Sequence, residues 1–144
     1  MPGFKGGCLC GAITYEVAAE PINMWNCHCD DCRKTTGASF ATNIFINAED
    51  LSIHKGTPST YQNTSDSGNT MTREFCSNCG SHLFVGNSAR PAIKAVRVGS
   101  IDDASFVQPW ANLYSSKALP FVDHVDDLEN FEKMPPDPGK HLRK

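Results

Sequence analysis

Apolar and polar residues alternate in short runs along most of the chain, and this period-two pattern predicts half-buried β-strands. The alternation is clearest in residues 12–17 and in residues 93–98, which end at Gly99. Residues 106–114 also predict a strand, in which Pro109 indicates an edge position or a bulge. Further strands are predicted from runs at 39–46, 51–54, 70–75 and 82–85.

Helical patterns are few. Residues 30–35 can form one turn, with Asp30 or Asp31 as its N-terminal cap and Gly37 at its end. Spaced apolar residues at 123–133 predict no more than a short helix or turn. The pattern as a whole predicts a mainly β fold with little helix.

A single domain is expected from the length of 144 residues. The pattern contains no internal repeat, and the polar segment 63–69 predicts an exposed hairpin loop between two strands. From Pro135 the chain is rich in proline and charge, which is typical of a flexible terminus. We therefore expect a domain at residues 1–134 and a flexible tail at 135–144.

The composition excludes several classes of protein. Hydrophobic residues make up 40% of the chain and charged residues 20%, as in ordinary globular proteins. The formal net charge of −3 lacks the basic excess of nucleic-acid-binding proteins, so no nucleic-acid partner is expected. No apolar run approaches the roughly 18 residues of a membrane span, so no membrane partner is expected either.

Cysteine spacing is the most informative chemical feature of the sequence. Seven cysteines occur in three tight motifs, CxC, CxCxxC and CxxC. An odd number argues against a complete set of disulfides, and unrelated core cysteines do not cluster in such pairs. Metal binding explains the spacing better. The motif residues are Cys8 and Cys10, then Cys27, Cys29 and Cys32, and finally Cys76 and Cys79.

Reduced thiols also bear on location. The N-terminal segment, MPGFKGG, contains no apolar run resembling a signal peptide. Free thiols persist in reducing compartments, so a cytoplasmic location is expected.

Seven ligands divide naturally into four and three. Four thiolates make a closed tetrahedral zinc site, whereas three leave a position open for water or substrate. The pair Cys76 and Cys79 precedes Gly80 in a zinc-knuckle pattern, and Cys8 and Cys10 lie on one face of an extended segment. Joining these two pairs completes a four-thiolate site. Spacing alone leaves other pairings open, such as the CxC pair with Cys27 and Cys29.

The remaining trio is local in sequence. A strand end can present Cys27 and Cys29 on one face, and the following turn can add Cys32. His28 lies between two of these residues and is a possible fourth ligand. Alternation along a strand directs its side chain to the opposite face, which favours a packing or supporting role instead.

The motifs resemble those of the glutathione-dependent formaldehyde-activating enzyme (GFA) family, which includes centromere protein V-like proteins. The resemblance is carried by GGCLCGAITYE, NCHCDDCRKTTGASF, FCSNCGSHLF and VGSIDD. It extends from about Gly6 to Pro135, because the segments 116–121 and 131–135 also match the family's C-terminal pattern.

This resemblance implies a fold and two metal sites. The family fold is all-β (mainly β), with packed antiparallel sheets of the β-tent type stapled by zinc. Its structural zinc would be held here by Cys8, Cys10, Cys76 and Cys79. Its catalytic zinc would be held by Cys27, Cys29 and Cys32. Two zinc ions per chain are therefore expected.

The resemblance also implies an activity. The family's founding reaction joins glutathione to formaldehyde and is classed with the carbon–sulfur lyases. A zinc-dependent carbon–sulfur lyase with a small thiol or thiol adduct as its partner, and glutathione as co-substrate, is thus expected. Arg33 and Lys34 follow the trio directly and are candidates to bind the carboxylates of glutathione, although a solvated turn explains them equally well. The alternative function is a non-catalytic, zinc-stabilised protein-binding module.

Overall fold

Two β-sheets make up most of the part of the chain that the structure describes. This computed structural model describes residues 3–128, 131–133 and 136. Strands account for 40% of the residues and α- or 3-10 helices for 16%, so the mainly β prediction is confirmed. Apart from Pro136, the predicted tail lies outside the described residues.

The smaller sheet has three strands in the order β1-β2-β5, all antiparallel. They are β1 (Phe4–Gly7), β2 (Thr14–Val17) and β5 (Leu51–Lys55).

The larger sheet has seven strands in the order β10-β3-β4-β9-β8-β7-β6. Neighbouring strands in this sheet are antiparallel, except for β10 and β3, which run parallel. The strands are β3 (Asn23–Cys27), β4 (Ala41–Asn47), β6 (Ser59–Thr64), β7 (Thr70–Phe75), β8 (His82–Asn87), β9 (Ile93–Arg97) and β10 (Asn112–Leu113).

One α-helix, α1 (Asp30–Thr36), is found within the described residues and follows β3 directly. Its N-cap is Cys29, whose Sγ accepts a hydrogen bond from the backbone N–H of Cys32. The predicted cap at Asp30 or Asp31 is therefore wrong, because both residues lie in the first turn of the helix. Their negative charges there interact favourably with the helix dipole. The helix ends at Gly37 as predicted.

The predicted strand at 106–114 is largely wrong. Only Asn112–Leu113 forms a strand, although Trp110 and Ala111 also make backbone hydrogen bonds to β3, and residues 106–109 run as turns and irregular backbone. Pro109 has no N–H to donate to a ladder, which limits pairing on this edge. The other helical segments are 3-10 helices at Ala48–Asp50, Val98–Ser100, Ser115–Lys117 and Pro120–Asp127.

The hydrophobic core lies between the two sheets. Ile44, Val96 and Phe84 are paired across β4, β9 and β8, and all three are fully buried. Tyr15 of β2 packs edge-on against Phe84, with ring centroids 4.9 Å apart. Because alternate residues of a strand point to opposite faces, this arrangement sends the residues between them to the other face of the large sheet.

That second face is polar and nevertheless buried. Asn43 pairs with Arg97, and Val85 pairs with both Ala95 and Arg73, so these five side chains share it. Asn43, Arg73 and Arg97 are each less than one-tenth exposed. The polar side chains on this buried face need hydrogen-bond partners, which a hydrophobic core cannot supply. The face forms the floor of the cavity described below.

Strand β1 packs most closely against its neighbours at Gly6. Gly6 pairs with Tyr15 and also bridges to Ile101. A Cβ at this position would overlap the Ser100 carbonyl oxygen and the Tyr15 hydroxyl. The Tyr15 hydroxyl is itself fixed by a 2.8 Å hydrogen bond with Ser100 Oγ.

Gly6→Ala is expected to lower the free energy of unfolding by about 1–3 kcal/mol, the usual cost of overpacking. The matched control is Gly99→Ala, because nothing lies within 4 Å of a Cβ at Gly99. We expect the control to stay within about 0.5 kcal/mol of the parent protein in urea denaturation. Equal stability of the two variants would show that β1 is not packed as described.

Candidate metal centres and active site

Four cysteine sulfurs converge where the two sheets meet. Cys8 and Cys10 lie in the turn between β1 and β2, and Cys76 and Cys79 lie in the turn between β7 and β8. All four sulfurs fall within 4.8 Å of one another, and we call this group the quartet. It therefore links a turn of the small sheet to a turn of the large one.

The quartet has the dimensions of a tetrahedral metal site. The Sγ atoms of Cys8 and Cys10 lie 3.6 Å apart, and those of Cys10 and Cys76 lie 3.8 Å apart. A tetrahedral zinc ion with bonds of about 2.3 Å sets its sulfurs about 3.8 Å apart, far beyond the roughly 2.05 Å of a disulfide. The cysteines are accordingly free thiols that could hold a metal ion.

Local hydrogen bonds prepare the quartet for negative charge. The backbone N–H of Ile13 donates to Cys8 Sγ, and the Asn78 side chain donates to Cys10 Sγ, each at 3.2 Å. Gly80 takes the left-handed conformation, with φ of 78°, and its N–H closes the knuckle onto the Cys76 carbonyl. Donors directed at sulfur stabilise the thiolate, which is the form that binds metal.

The remaining three cysteines form a second cluster, the trio. Cys27 ends β3, Cys29 caps α1 and Cys32 lies in its first turn, with all three sulfurs within 4.8 Å of one another. Cys27 and Cys32 are buried and Cys29 is partly exposed. The trio could likewise hold a metal ion, with three ligands from a single short segment.

The thiols of the trio differ in how readily they lose a proton. The hydrogen bond from Cys27, followed by the nearby charge of Arg97, lowers the pKa of Cys32 to about 5 despite burial. The same hydrogen bond and burial raise the pKa of Cys27. Even without a metal ion, the trio therefore favours a thiolate at Cys32.

His28 is not part of the trio. Its ring packs against Phe40, with centroids 4.8 Å apart, and its Nε2 lies 3.2 Å from Asn112 Oδ1. The contact ties the end of β3 to β10. The observed contacts agree with the packing interpretation of His28 rather than with a ligand.

The trio opens onto a cavity of about 660 Å³ over the polar face of the large sheet. Helix α1 and the turn between β6 and β7 form its sides. Apolar lining residues include Trp25, Phe45, Met71, Val85 and Leu113. Polar lining residues include Asp66, Arg73, Arg97, Tyr114 and Lys117. A mainly apolar cavity with a few polar groups and a metal-capable cluster is the usual form of a small-molecule site.

Tyr114 closes one side of this cavity. It is the one non-glycine residue with positive φ among those described, at 54°, and its hydroxyl donates to Asp66 Oδ1 at 2.8 Å. That hydrogen bond raises the pKa of Tyr114 to about 12, and the nearby trio contributes to the shift. Backbone strain of this kind is common at functional sites.

The sequence candidates Arg33 and Lys34 lie elsewhere. Arg33 pairs with Asp30 at 3.1 Å, and Lys34 lines a second cavity beside the C-terminal end of α1. Neither lines the cavity at the trio. Their role in binding glutathione stays a prediction.

Sequence reasoning missed Arg73 and Arg97. Both belong to runs that correctly predicted strands, but a single sequence gives no register between strands. Without that register, nothing indicates that the two arginines share a buried face with the trio. The alternating pattern of each strand was the one available signal, because it showed which of the strand's residues share a face with the arginine.

Comparison with known proteins places these centres in a family. Residues 3–117 match the sequence model of the glutathione-dependent formaldehyde-activating enzyme family. The mainly β fold and the two cysteine clusters thus define a metal-capable β domain, and the chain belongs to the GFA family.

Two curated relatives extend the comparison. A Halomonas elongata protein, provisionally named a glutathione-dependent formaldehyde-activating enzyme, is 31% identical over 68% of this chain and 65% of its own length. A Schizosaccharomyces pombe protein named an uncharacterized lyase is 30% identical over 58% of each. The chain thus spans less than two thirds of these relatives.

A solved structure supports the fold. A crystal structure of a Rhodobacter sphaeroides protein is similar with a TM-score of 0.56 and 27% identity, covering 73% of this chain and 91% of that one. Among the residues described here, no helix is long and apolar enough to cross a membrane.

The two clusters are expected to fail differently when a ligand is removed. A structural zinc contributes about 10–16 kcal/mol to folding, against a typical net stability of about 5–15 kcal/mol. Cys76→Ser should therefore yield unfolded or insoluble chain, because the quartet joins the two sheets. Cys32→Ser should stay folded with less bound metal. Circular dichroism and metal analysis would decide, and equal collapse of both variants would contradict this division.

Proposed function

We propose that this protein is a zinc-dependent carbon–sulfur lyase acting on adducts of glutathione or a related thiol. The observation that carries the proposal is the trio, three sulfurs gathered at the wall of a cavity large enough for a small molecule. Membership of the GFA family and the names of its relatives support the same class of reaction.

Different roles for the two clusters follow from their ligand numbers. We propose one zinc ion in the quartet, where four thiolates leave no position for a substrate, and one in the trio, where a position stays open. When bound at the trio, zinc would supply a Lewis acid that favours the thiolate form of the substrate sulfur.

The proposed reaction is simple in its bond changes. In the lyase direction the carbon–sulfur bond of the adduct breaks, its hydroxyl oxygen gives its proton to water and becomes the aldehyde oxygen, and the sulfur departs as thiolate. The reverse direction joins thiol and aldehyde. Both directions require the sulfur to be held as an anion close to the aldehyde carbon.

The chain's own residues prepare the cavity for that sulfur. Arg97 Nη1 lies 3.8 Å from Cys32 Sγ and offsets part of the charge of the trio. Trp25 and Phe45 pack together on the cavity wall, with centroids 4.2 Å apart. Such an apolar wall excludes water, and charges in a dry site interact more strongly.

Partners and location are part of the same proposal. A small thiol or thiol adduct is the proposed partner, with glutathione the thiol indicated by the family name. The free state of all seven cysteines supports a reducing compartment, and we propose the cytoplasm. The division into a domain at 1–134 and a tail at 135–144 stays a prediction.

The proposal is tested by measuring the rate of exchange between S-hydroxymethylglutathione and its components, glutathione and formaldehyde, with NMR exchange spectroscopy. The zinc-loaded protein should raise the exchange rate. Cys32→Ser should abolish the acceleration, since it removes a sulfur from the trio. His54→Gln is the matched control, because His54 is exposed, pairs with Glu16 and lies outside the cavity lining.

A wild-type rate in Cys32→Ser would contradict a catalytic trio. The panel should also include adducts of cysteine and coenzyme A. If the wild-type protein does not accelerate the exchange of any of these adducts, the lyase proposal is wrong. The zinc-stabilised binding module would then be the better account.

A further inference from the structure

Two buried arginines lie on the floor of the cavity. Arg73 of β7 and Arg97 of β9 point to the same face, because Arg73 pairs with Val85, Val85 pairs with Ala95, and Ala95 lies two residues before Arg97. Arg73 is 3% exposed and Arg97 is 4% exposed. Both side chains line the cavity beside the trio.

Some of the N–H groups of each guanidinium donate hydrogen bonds that fix its position. Arg97 Nη1 donates to Asn43 Oδ1 at 2.7 Å and lies 3.8 Å from Cys32 Sγ. Arg73 Nε donates to Asn63 Oδ1 at 2.8 Å. Asparagine amides therefore orient both groups without neutralising their charge.

Three of the remaining donors lack partners. Arg97 Nε and Nη2 and Arg73 Nη1 are buried, with no hydrogen-bond partner among the described residues. A buried donor left unpaired costs about 1–3 kcal/mol, and a charged one costs more. Unpaired cationic donors at a cavity floor are the complement of an anionic ligand group.

The acidic residues around the cavity do not hydrogen-bond to the three unpaired donors. Asp30 pairs with Lys117 and Arg33, and Asp66 accepts from the Tyr114 hydroxyl. Asp31 accepts from Asn63 at 3.0 Å and also forms a long ion pair with Arg73 Nη2 at 3.9 Å, a distance too long for a hydrogen bond. These carboxylates leave the three unpaired donors of Arg73 and Arg97 unsatisfied.

We propose that Arg97 and Arg73 form a carboxylate subsite that selects thiol substrates bearing a carboxylate close to the sulfur. An oxygen about 2.9 Å from Arg97 Nη2 would lie within roughly 9 Å of Cys32 Sγ, because Arg97 Nη1 is 3.8 Å from that sulfur. The requirement for a thiol in the ligand rests on the proposed function, whereas the requirement for a carboxylate rests on the arginines alone.

The experiment compares two matched ligands by calorimetry on the zinc-loaded protein. They are 3-mercaptopropionate and 3-mercapto-1-propanol, which share a thiol and differ in the carboxylate. The parent protein should bind the acid about 10- to 100-fold more tightly, as expected for a charge-assisted contact. Arg73→Gln should lose most of this preference while its affinity for the alcohol stays unchanged, and Arg73→Lys should retain part of it.

Controls separate this subsite from other effects of charge. Lys55→Gln removes the same charge at an exposed site outside the cavity lining and should keep the full preference. Circular dichroism and metal content establish that each variant is folded and loaded, and Arg73→Lys serves if Arg73→Gln does not fold. A preference lost in Arg33→Gln but kept in both Arg73 variants would overturn the proposal.

A sulfur-free ligand distinguishes failure of this inference from failure of the proposed function. If neither thiol binds, propionate should still bind to the parent protein and more weakly to Arg73→Gln, so that only the thiol chemistry would be wrong. Equal binding of the acid and the alcohol by the parent protein would overturn the subsite. Absence of binding by both thiols and by propionate would overturn it as well.

Discussion

Convergence of four cysteine sulfurs from two separate turns is the constraint on which the rest of the structure depends. Cys8 and Cys10 lie in a turn of the small sheet, Cys76 and Cys79 lie in a turn of the large one, and 66 positions separate Cys10 from Cys76. Four sulfur atoms cannot remain within 4.8 Å of one another unless both turns are held in place. The same junction fixes how the two sheets enclose the core around Tyr15 and Phe84.

The division of the large sheet into two faces then creates the site. One face supplies the apolar side of the core, and the other carries Arg73, Arg97 and Asn43 under a cavity. The trio stands at the edge of this second face because β3 ends at Cys27 and α1 begins soon after it, at Asp30. The two sheets thus meet at one cluster and place the other at the edge of a cavity, an arrangement that suits a rigid functional site.

Sequence and structure agree where the information is local. Cysteine spacing predicted the trio and the two pairs that make up the quartet, and alternation predicted most strands, because each signal lies within a few residues. The joining of the two pairs across 66 positions was left open by spacing and was implied by the family resemblance. The arginines of the cavity could not be found in this way, since their meeting depends on the register of three strands. The strand at 106–114 failed for a related reason: alternation there was present, but Pro109 and the turns around it leave only Asn112–Leu113 as a strand. Likewise, the cap of α1 was assigned to an aspartate because a cysteine that also belongs to a metal cluster is an uncommon cap.

Zinc K-edge X-ray absorption on the zinc-loaded protein tests the central claim, that one cluster is closed and the other open, most directly. Clusters of four and three sulfurs predict an average of about 3.5 sulfur neighbours per zinc ion at about 2.3 Å. Adding glutathione should raise the average to about 4, because a thiol sulfur would complete the trio. An average that stays unchanged after glutathione is added would contradict the open site and the thiol chemistry proposed for it.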